Sequence, residues 1–273
     1  MSIKHEQPAG PAHAPRSAFA KRLLAVLALL LFVLFAGLGT WQVARLQWKL
    51  DLIERVDARV HAQPVAAPPA SQWAQVSRDT DEYRRVRLSG RYLLDYTTPV
   101  QALSDLGAGF WLLTPFCTAE GHIVLVNRGF IASSGDIATR FPGRQAGPVP
   151  CDTVSGPAVE ITGLLRISEP KGGFLRDNDP VGNRWYARDV AAIAAARGLP
   201  ASSVAPFFVD AAKGQEPAGA AGAPVAGAPV GGLTVIAFQN NHLVYALTWY
   251  GLALMVAAAM WWAVRHESRR DDD

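Results

Sequence analysis

The sequence predicts a membrane-anchored α+β protein in which two transmembrane helices flank an antiparallel, β-rich extracytoplasmic domain with a barrel-like sheet. Two uncharged runs, residues 23–41 and 243–264, predict the anchor, because about 20 apolar residues cross a hydrocarbon core of about 30 Å. Between these runs, short segments rich in β-branched and aromatic residues alternate with glycine-containing turns, which predicts the sheet.

The N-terminal region divides into a basic head and the first span. Residues 1–22 are polar, proline-containing and positively charged, so we expect a disordered cytoplasmic head. The apolar run that follows exceeds the roughly 7–15 residues of a cleaved signal peptide, so residues 23–42 are predicted to remain as a transmembrane helix. No glycine or proline occurs from Thr40 to Gln63, and we expect the helix to continue beyond the membrane.

Residues 43–241 form the predicted β-rich domain. A Pro/Ala-rich linker, Gln63–Ala70, follows the extension of the first helix and precedes the strands. The strand candidates are Tyr83–Leu88 with Arg91–Leu94, Phe110–Cys117, His122–Phe130, Val159–Arg166, Ser203–Asp210 and Leu233–Phe238. The Glu120-Gly121 turn predicts a hairpin, and an Ala-rich periodic stretch predicts one short helix, Asp189–Arg197. Residues 214–232 are low in complexity and are predicted to form a flexible loop.

The second span is predicted to begin at His242. Asn240 and Asn241 can cap the first free N–H groups of a helix covering residues 242–264, which places His242 in its first turn. At helical spacing Tyr245 and Trp249 share the face of His242.

Small side chains beside that face suit close helix contact. Ala246 and Ala253 form a narrow stripe on the second span, and Ala36 and Thr40 lie four residues apart on the first. Small residues let two membrane helices approach each other, so these positions predict contact between the two spans.

The charges outside the spans predict the topology. The head is basic, and the tail, residues 265–273, begins with three arginines among its first six residues. Basic flanks favour the cytoplasmic side, so both termini are predicted to be cytoplasmic and the domain periplasmic. The head is short, rich in proline and contains Glu6, unlike the Arg/Ser-rich presequences of mitochondrial proteins, which favours a bacterial inner membrane.

Several functional classes find no support in the sequence. The formal net charge is only +3 and the basic residues are dispersed, which argues against nucleic-acid binding. Phosphate-binding, nucleophile-elbow and zinc-protease motifs are missing, so we do not expect an enzyme. Cys117 and Cys151 show no metal-binding spacing, and the sequence leaves open whether they pair or stay as buried thiols.

His242 has two interpretations. A helix N-terminus and a partly apolar setting favour neutral imidazole, the form that binds a metal. Alternatively, His242 is an interfacial side chain within an aromatic belt that includes Tyr245, Trp249 and Tyr250, and this stretch alone favours that interpretation. On the first helix, Trp41 is predicted at headgroup level, and Arg45 with Lys49 could meet a phosphate or a carboxylate.

Two further stretches combine charges with aromatic residues. Arg128 lies in an otherwise apolar strand and is a plausible ion-pair partner of Asp189. Trp185 could stack on a guanidinium, or could serve with Tyr186 as an exposed anchor for a protein partner.

The motifs together resemble the Surfeit locus protein 1 family. They are Leu38-Gly39-Thr40-Trp41-Gln42-Val43-Ala44-Arg45 with Lys49, Val126-Asn127-Arg128-Gly129-Phe130, Trp185-Tyr186 with Asp189, and Asn241-His242-Leu243 with Tyr245-Ala246 and Thr248-Trp249-Tyr250. The family often has Trp where Phe130 stands, and the 214–232 insertion departs from the family pattern.

This resemblance implies a two-span assembly factor for cytochrome c oxidase that binds heme a and assists its insertion into subunit I. His242 matches the family histidine, so the axial-ligand interpretation becomes the favoured one. Tyr245, Trp249 and Trp41 would then contact the macrocycle, and Arg45 would meet a propionate. Heme A synthase is a further expected partner, besides the lipid bilayer.

Two other hypotheses remain. A cofactor-free scaffold would stabilise subunit I while other proteins insert heme. An unrelated two-span receptor is disfavoured, because residues 265–273 leave no room for a signalling module.

Overall fold

The computed structural model describes residues 18–133, 137–143, 151, 154, 157–170, 176–215, 228–234 and 240–271. Residues 1–17 of the predicted head, most of the 214–232 loop and the end of the predicted strand Leu233–Phe238 lie outside these ranges, whereas residues 18–22 of the predicted head lie in a helix. The chain divides into two compact units, one made of Met1–Ile53 and Phe238–Asp273 and the other of Glu54–Ala237. Each unit is described by itself.

The helices are α1 (Ala18–His61), α2 (Arg78–Asp81), α3 (Ile137–Arg140), α4 (Val190–Ala196) and α5 (His242–Asp271). The strands are β1 (Val65–Ala66), β2 (Arg85–Tyr92), β3 (Thr98–Ser104), β4 (Gly107–Thr118), β5 (Ile123–Ala132), β6 (Val159–Ile167) and β7 (Val204–Ala211). Short 3-10 turns lie at Ala70–Gln75, Leu94–Tyr96 and Ala201–Ser203.

The first unit pairs α5 with the N-terminal part of α1. Both helices are long and apolar enough to cross a membrane, which is consistent with a membrane-anchored protein. The 44 residues of α1 continue to His61 without a break, so the predicted extension of the first helix is confirmed.

Small residues let the two helices approach closely, as predicted. Ala246 and Ala253 are buried on α5. At Gly39 of α1 a Cβ would lie only 2.8 Å from the ring of Tyr250, so glycine makes room for that ring. The hydroxyl groups of Tyr250 and Thr40 are 3.1 Å apart, and the rings of Trp249 and Phe35 stack with centroids 5.7 Å apart.

The second unit contains a closed five-stranded barrel, which confirms the predicted barrel-like sheet. The sheet order is β1-β2-β6-β7-β5-β4-β3, and an additional pairing between β2 and β4 closes the ring. Neighbouring barrel strands are antiparallel except for β5 and β7, which are parallel. Among the strands in the described ranges, closure leaves β1 and β3 at the edges.

The barrel domain has two apolar cores because β5 is buried on both faces. Val124 and Val126 belong to a cluster to which all five barrel strands contribute, and this cluster fills the barrel. Ile123 and Leu125 point the other way, into a second cluster that also contains Trp185 and Ile193 of α4. Such two-sided burial explains the nearly continuous apolar run of this strand.

The prediction of a glycine-containing turn at Gly90, between two strands, is wrong. The predicted strands Tyr83–Leu88 and Arg91–Leu94 are one continuous strand, β2. A Cβ at Gly90 would lie 1.9 Å from the carbonyl oxygen of Cys117, so glycine serves the close approach of β2 to β4 that closes the barrel.

Two short or edge strands were missed. β1 lies inside the segment interpreted as a linker, and β3 contains Pro99 and pairs with β4 at the edge of the sheet. The other strand predictions up to Asp210 and the short helix Asp189–Arg197 are confirmed, including the hairpin at Gly121, where φ is +81°. Residues 233 and 234, the described start of the predicted strand Leu233–Phe238, are not in a strand.

Cys117 and Cys151 form a disulfide, which resolves the alternative left open by the sequence. Their Cα atoms are 5.4 Å apart, and the bond closes a loop across 34 positions of the chain. The disulfide attaches Cys151 to the end of β4, where Cys117 is buried in the second core.

Candidate functional site

His242 is the first residue of α5 and is half-buried. The backbone N–H of Tyr245 donates to the carbonyl of Asn241 at 3.2 Å. The predicted side-chain cap at Asn240 is wrong, because its Oδ1 is buried and has no hydrogen-bond partner among the described residues. A buried acceptor without a donor is costly, so the start of α5 carries an unmet polar group two residues before the imidazole.

Gln42 of α1 contacts the imidazole of His242. Oε1 of Gln42 lies 2.7 Å from Nδ1 of His242. A carboxamide oxygen can only accept, so this contact places the imidazole proton on Nδ1 and leaves the lone pair on Nε2. Within the described residues Nε2 has no hydrogen-bond partner. The imidazole is therefore held in one tautomer, and the lone pair of Nε2 is available to bind a metal.

The other predicted site residues surround this pair along the two helices. Trp41 precedes Gln42 directly and Tyr245 follows His242 by three positions, and they are 55% and 53% exposed. Arg45 is exposed, and its guanidinium lies 4.8 Å from the ring centroid of Trp48. Trp249 is half-buried against Phe35, so part of its surface already serves the contact between α1 and α5.

These side chains suit a metal that already has most of its coordinating atoms from a bound organic group. Across the part of the chain that the structure describes, no group of three or more His, Cys, Asp or Glu side chains could hold a metal ion. A single neutral imidazole can still complete the coordination of iron in a macrocycle, since the macrocycle provides the other nitrogen ligands. An oriented histidine with exposed aromatic neighbours therefore fits an axial ligand of heme.

Gln42 is the site residue that sequence reasoning missed, although it lies inside the quoted motif of the first span. Histidine ligands usually donate their second ring N–H to an oriented acceptor. A search for such an acceptor near the head of the second span would have pointed to a polar side chain in an otherwise apolar helix.

The most highly charged part of the barrel domain is a buried cluster around Arg166. Its guanidinium donates to Glu82, Glu169 and Asp210 at 2.9–3.1 Å. Asp210 also accepts from Asn127 at 2.8 Å and from Thr234 at 2.9 Å, and Arg188 donates to Glu169. Burial disfavours the charged guanidinium, but Asp210 and the other acidic groups hold the pKa of Arg166 above its ordinary value.

This cluster has the character of a structural network. Each guanidinium meets carboxylates, and Asp210 also accepts hydrogen bonds from the neutral side chains of Asn127 and Thr234. One acceptor in it, Oε2 of Glu82, is buried without a hydrogen-bond partner among the described residues, and it lies 3.4 Å from Nε of Arg78.

Arg128 and Asp189 do not form the predicted ion pair. Asp189 caps α4 by accepting from the N–H of Ala192 at 3.1 Å. Arg128 instead places its guanidinium 5.3 Å from the ring centroid of Tyr92.

Trp185 is 2% exposed, so the interpretation as an exposed anchor is wrong for this residue. Its ring lies 5.8 Å from the guanidinium of Arg197, which confirms the predicted stacking on a guanidinium.

Comparisons with known proteins agree along most of the chain. A sequence model described as the SURF1 family matches residues 29–254. Surfeit locus protein 1 of Homo sapiens is 34% identical over 243 residues, covering 82% of this chain and 72% of the relative. The same protein of Mus musculus is 34% identical over 233 residues, covering 79% and 67%. A SURF1-like protein of Monosiga brevicollis is 34% identical over 243 residues, covering 85% and 83%.

Proposed function

The chain belongs to the SURF1 family, and from this membership we propose that it is a non-catalytic assembly factor for cytochrome c oxidase. In this role it binds heme a and assists its insertion into oxidase subunit I, with heme A synthase as a candidate donor.

The observation that carries the heme role is the contact between His242 and Gln42. A bond of 2.7 Å to Nδ1 fixes the ring and leaves Nε2 free, which is the arrangement that oriented metal-binding histidines use. His242 would bind the heme iron through Nε2, and Gln42 would hold the imidazole proton at Nδ1.

The neighbouring residues take supporting roles. Tyr245 and Trp41 expose ring surface that can pack on a macrocycle, and Trp249 contributes while it also contacts Phe35. Arg45 is exposed and cationic, and it can pair with a propionate.

We place the protein in a bacterial inner membrane, with the barrel domain in the periplasm and both termini in the cytoplasm. The Cys117–Cys151 disulfide supports this, because such bonds persist in oxidising compartments and are rare in the cytosol. The basic residues on the outer flanks of the two helices support the same orientation.

A cofactor-free scaffold is the second candidate function. The closed barrel and its buried ionic network form a rigid body that could hold subunit I without any contact to heme.

The test uses a strain lacking this protein, complemented with wild type, His242→Ala or His266→Ala. His266 is the matched control, because it is an imidazole on the same helix that contacts Trp262 with ring centroids 4.4 Å apart. The measurement is the heme a content of isolated oxidase subunit I, at equal membrane levels of each variant.

We expect His242→Ala to lower the heme a content and His266→Ala to match wild type. Full heme a content with His242→Ala would contradict the heme role and favour the scaffold. No difference between the deletion strain and wild type would contradict the assembly role itself.

A further inference from the structure

Arg128 lies in a β-bulge that redirects its side chain. Trp111 of β4 pairs with Phe130, and Leu113 pairs with Asn127, so Leu112 alone faces the two residues Arg128 and Gly129. An extra residue of this kind bends a strand and re-aims a side chain.

The neighbours of Arg128 hold the bulge in place. Gly129 has φ of +127°, and a Cβ there would lie 2.3 Å from the carbonyl oxygen of Val230, so no other residue fits without strain. The side chain of Asn127 accepts from the N–H of Gly129 at 3.1 Å and donates to Asp210 at 2.8 Å.

The redirected guanidinium lies over the ring of Tyr92, whose hydroxyl group is a second hydrogen-bond donor. Tyr92 and Arg128 lie toward the C-terminal ends of β2 and β5, which run in the same direction and so end on the same side of the barrel. The guanidinium lies 5.3 Å from the Tyr92 ring centroid, and that ring packs edge-on against Phe116. Both side chains are half-buried.

Neither group has an acceptor within the described residues. The guanidinium of Arg128 and the hydroxyl of Tyr92 are each half-buried and keep contact with solvent, and the contact found for the guanidinium is the ring of Tyr92. Burial lowers the pKa of Arg128, and the nearby Tyr92 only partly offsets this. Burial also raises the pKa of Tyr92 to about 12, with Arg128 acting in the opposite direction, so the hydroxyl keeps its proton at neutral pH.

Other arginines of the domain pair with carboxylates of the same chain. Arg166 and Arg188 meet Glu82, Glu169 and Asp210. Arg128 directly follows Asn127, which donates to Asp210, but its own guanidinium forms no ion pair with these three carboxylates. Its donors are therefore left for a group from outside the described chain.

The geometry favours a carboxylate on a protein surface. A planar guanidinium matches a carboxylate with two parallel bonds, whereas phosphate sites usually gather several cations or backbone N–H groups. The barrel beneath is filled, since Phe116, Val126 and Leu165 are fully buried, so a small molecule finds no depth there. A groove of about 440 Å³ lies elsewhere, against Pro68 and Gln72.

We propose that Arg128 and Tyr92 form a docking point on the end of the barrel that receives an Asp or Glu side chain of a protein partner. Arginine and tyrosine are the residue types that most often anchor interfaces. This docking point is separate from His242 and goes beyond the heme role.

Arg128→Lys turns the docking point into a chemical probe. A carbodiimide couples a lysine amine to a carboxylate in direct contact, and it does not couple arginine. Membranes containing the full-length variant are treated with carbodiimide, and adducts at the substituted position are identified by mass spectrometry.

Arg87→Lys is the matched control, because Arg87 lies 3.9 Å from Glu160 of the same chain and is half exposed. We expect this control to couple within the chain, and Arg128→Lys to couple to an Asp or Glu of another, identified protein. Adding Tyr92→Phe should reduce the yield of that adduct about tenfold, since one charged-group hydrogen bond is lost.

Coupling of the Arg128→Lys position to its own chain, to lipid, or to nothing would overturn the proposal, provided the control couples. If the partner is a protein other than oxidase subunit I, the docking point stands and the assembly role loses support. Loss of heme a binding in His242→Ala would leave the adduct unchanged, which separates the two proposals.

Discussion

The ionic network of the barrel and the head of α5 are both polar sites in apolar surroundings, but their central groups differ in how many partners they meet, although Oε2 of Glu82 in the network also lacks a hydrogen-bond partner among the described residues. Asp210 meets Arg166, Asn127 and Thr234, and each of these contacts lies at 2.8–2.9 Å. His242 meets only Gln42, and the nearby Asn240 oxygen meets nothing in the described chain. A satisfied site stabilises a fold, whereas an unsatisfied one has bonds left for a ligand.

The largest effect, on the stability of the fold, is expected when the ionic network around Arg166 is broken. Arg166→Met leaves Glu82 and Asp210 buried with too few partners, and breaking a buried pair costs about 3–5 kcal/mol. Thermal unfolding of the detergent-purified protein should show a large drop in the melting temperature. Arg87→Met is the control, because an exposed pair contributes about 1 kcal/mol or less. Equal losses from both variants would contradict the contrast.

Substitutions at the head of α5, which we call the open site, should change ligand binding and hardly change the free energy of unfolding. Gln42→Leu removes the acceptor at Nδ1 of His242 but keeps the side-chain volume, so heme a affinity should fall about 10–100-fold. Titration of the apo protein with heme a, followed by absorbance, measures this. Gln42→Glu keeps an acceptor and should retain most of the affinity. A Gln42→Leu protein that binds as well as wild type would show that the contact has no orienting role.

The packing beside the open site can be disturbed by adding one methyl group. Gly39→Ala places a methyl group against the ring of Tyr250, which must move away from Thr40. Overpacking of this kind costs about 1–3 kcal/mol. Fluorescence-detected unfolding in detergent measures the loss. Gly37→Ala is the control on the same helix, since a Cβ at Gly37 meets nothing within 4 Å.

The smallest effect concerns a satisfied carboxylate near the barrel. Desolvation alone would raise the pKa of Asp81, but hydrogen bonds from Thr80, Ser77 and Arg84 hold it below its ordinary value. The folded-state pKa is depressed, so the stabilisation is present above the ordinary aspartate pKa of about 3.9 and is lost as the pH falls below it. Unfolding curves at pH 5 and pH 3 should converge between wild type and Asp81→Asn at the lower pH. A constant difference at both pH values would contradict this assignment.

Local patterns predicted most of the fold, and contacts distant in sequence explain the misses. The alternation in β2, β4, β6 and β7 predicted a sheet, and the uncharged runs predicted both long helices. Gly90 resembled a turn because nothing local indicates that a carbonyl of β4 approaches it. The edge strand β3 carries a proline and too few β-branched residues to stand out.

The same limit applies to the candidate site. His242 could be singled out by its place at the start of an apolar helix, but its partner Gln42 lies 200 positions away. The prediction of an ion pair between Arg128 and Asp189 failed for the same reason. The sequence does not show which acidic residues another arginine already binds.

The most direct test of the account is the visible spectrum of the full-length protein, purified in detergent from cells that make heme a, for wild type, His242→Ala and His266→Ala. The account predicts a heme a spectrum in wild type and in the His266→Ala control, and its loss in His242→Ala while the protein remains folded and inserted in the membrane. A wild-type protein without heme, or a His242→Ala protein with an unchanged spectrum, would contradict the claim that His242 binds heme a.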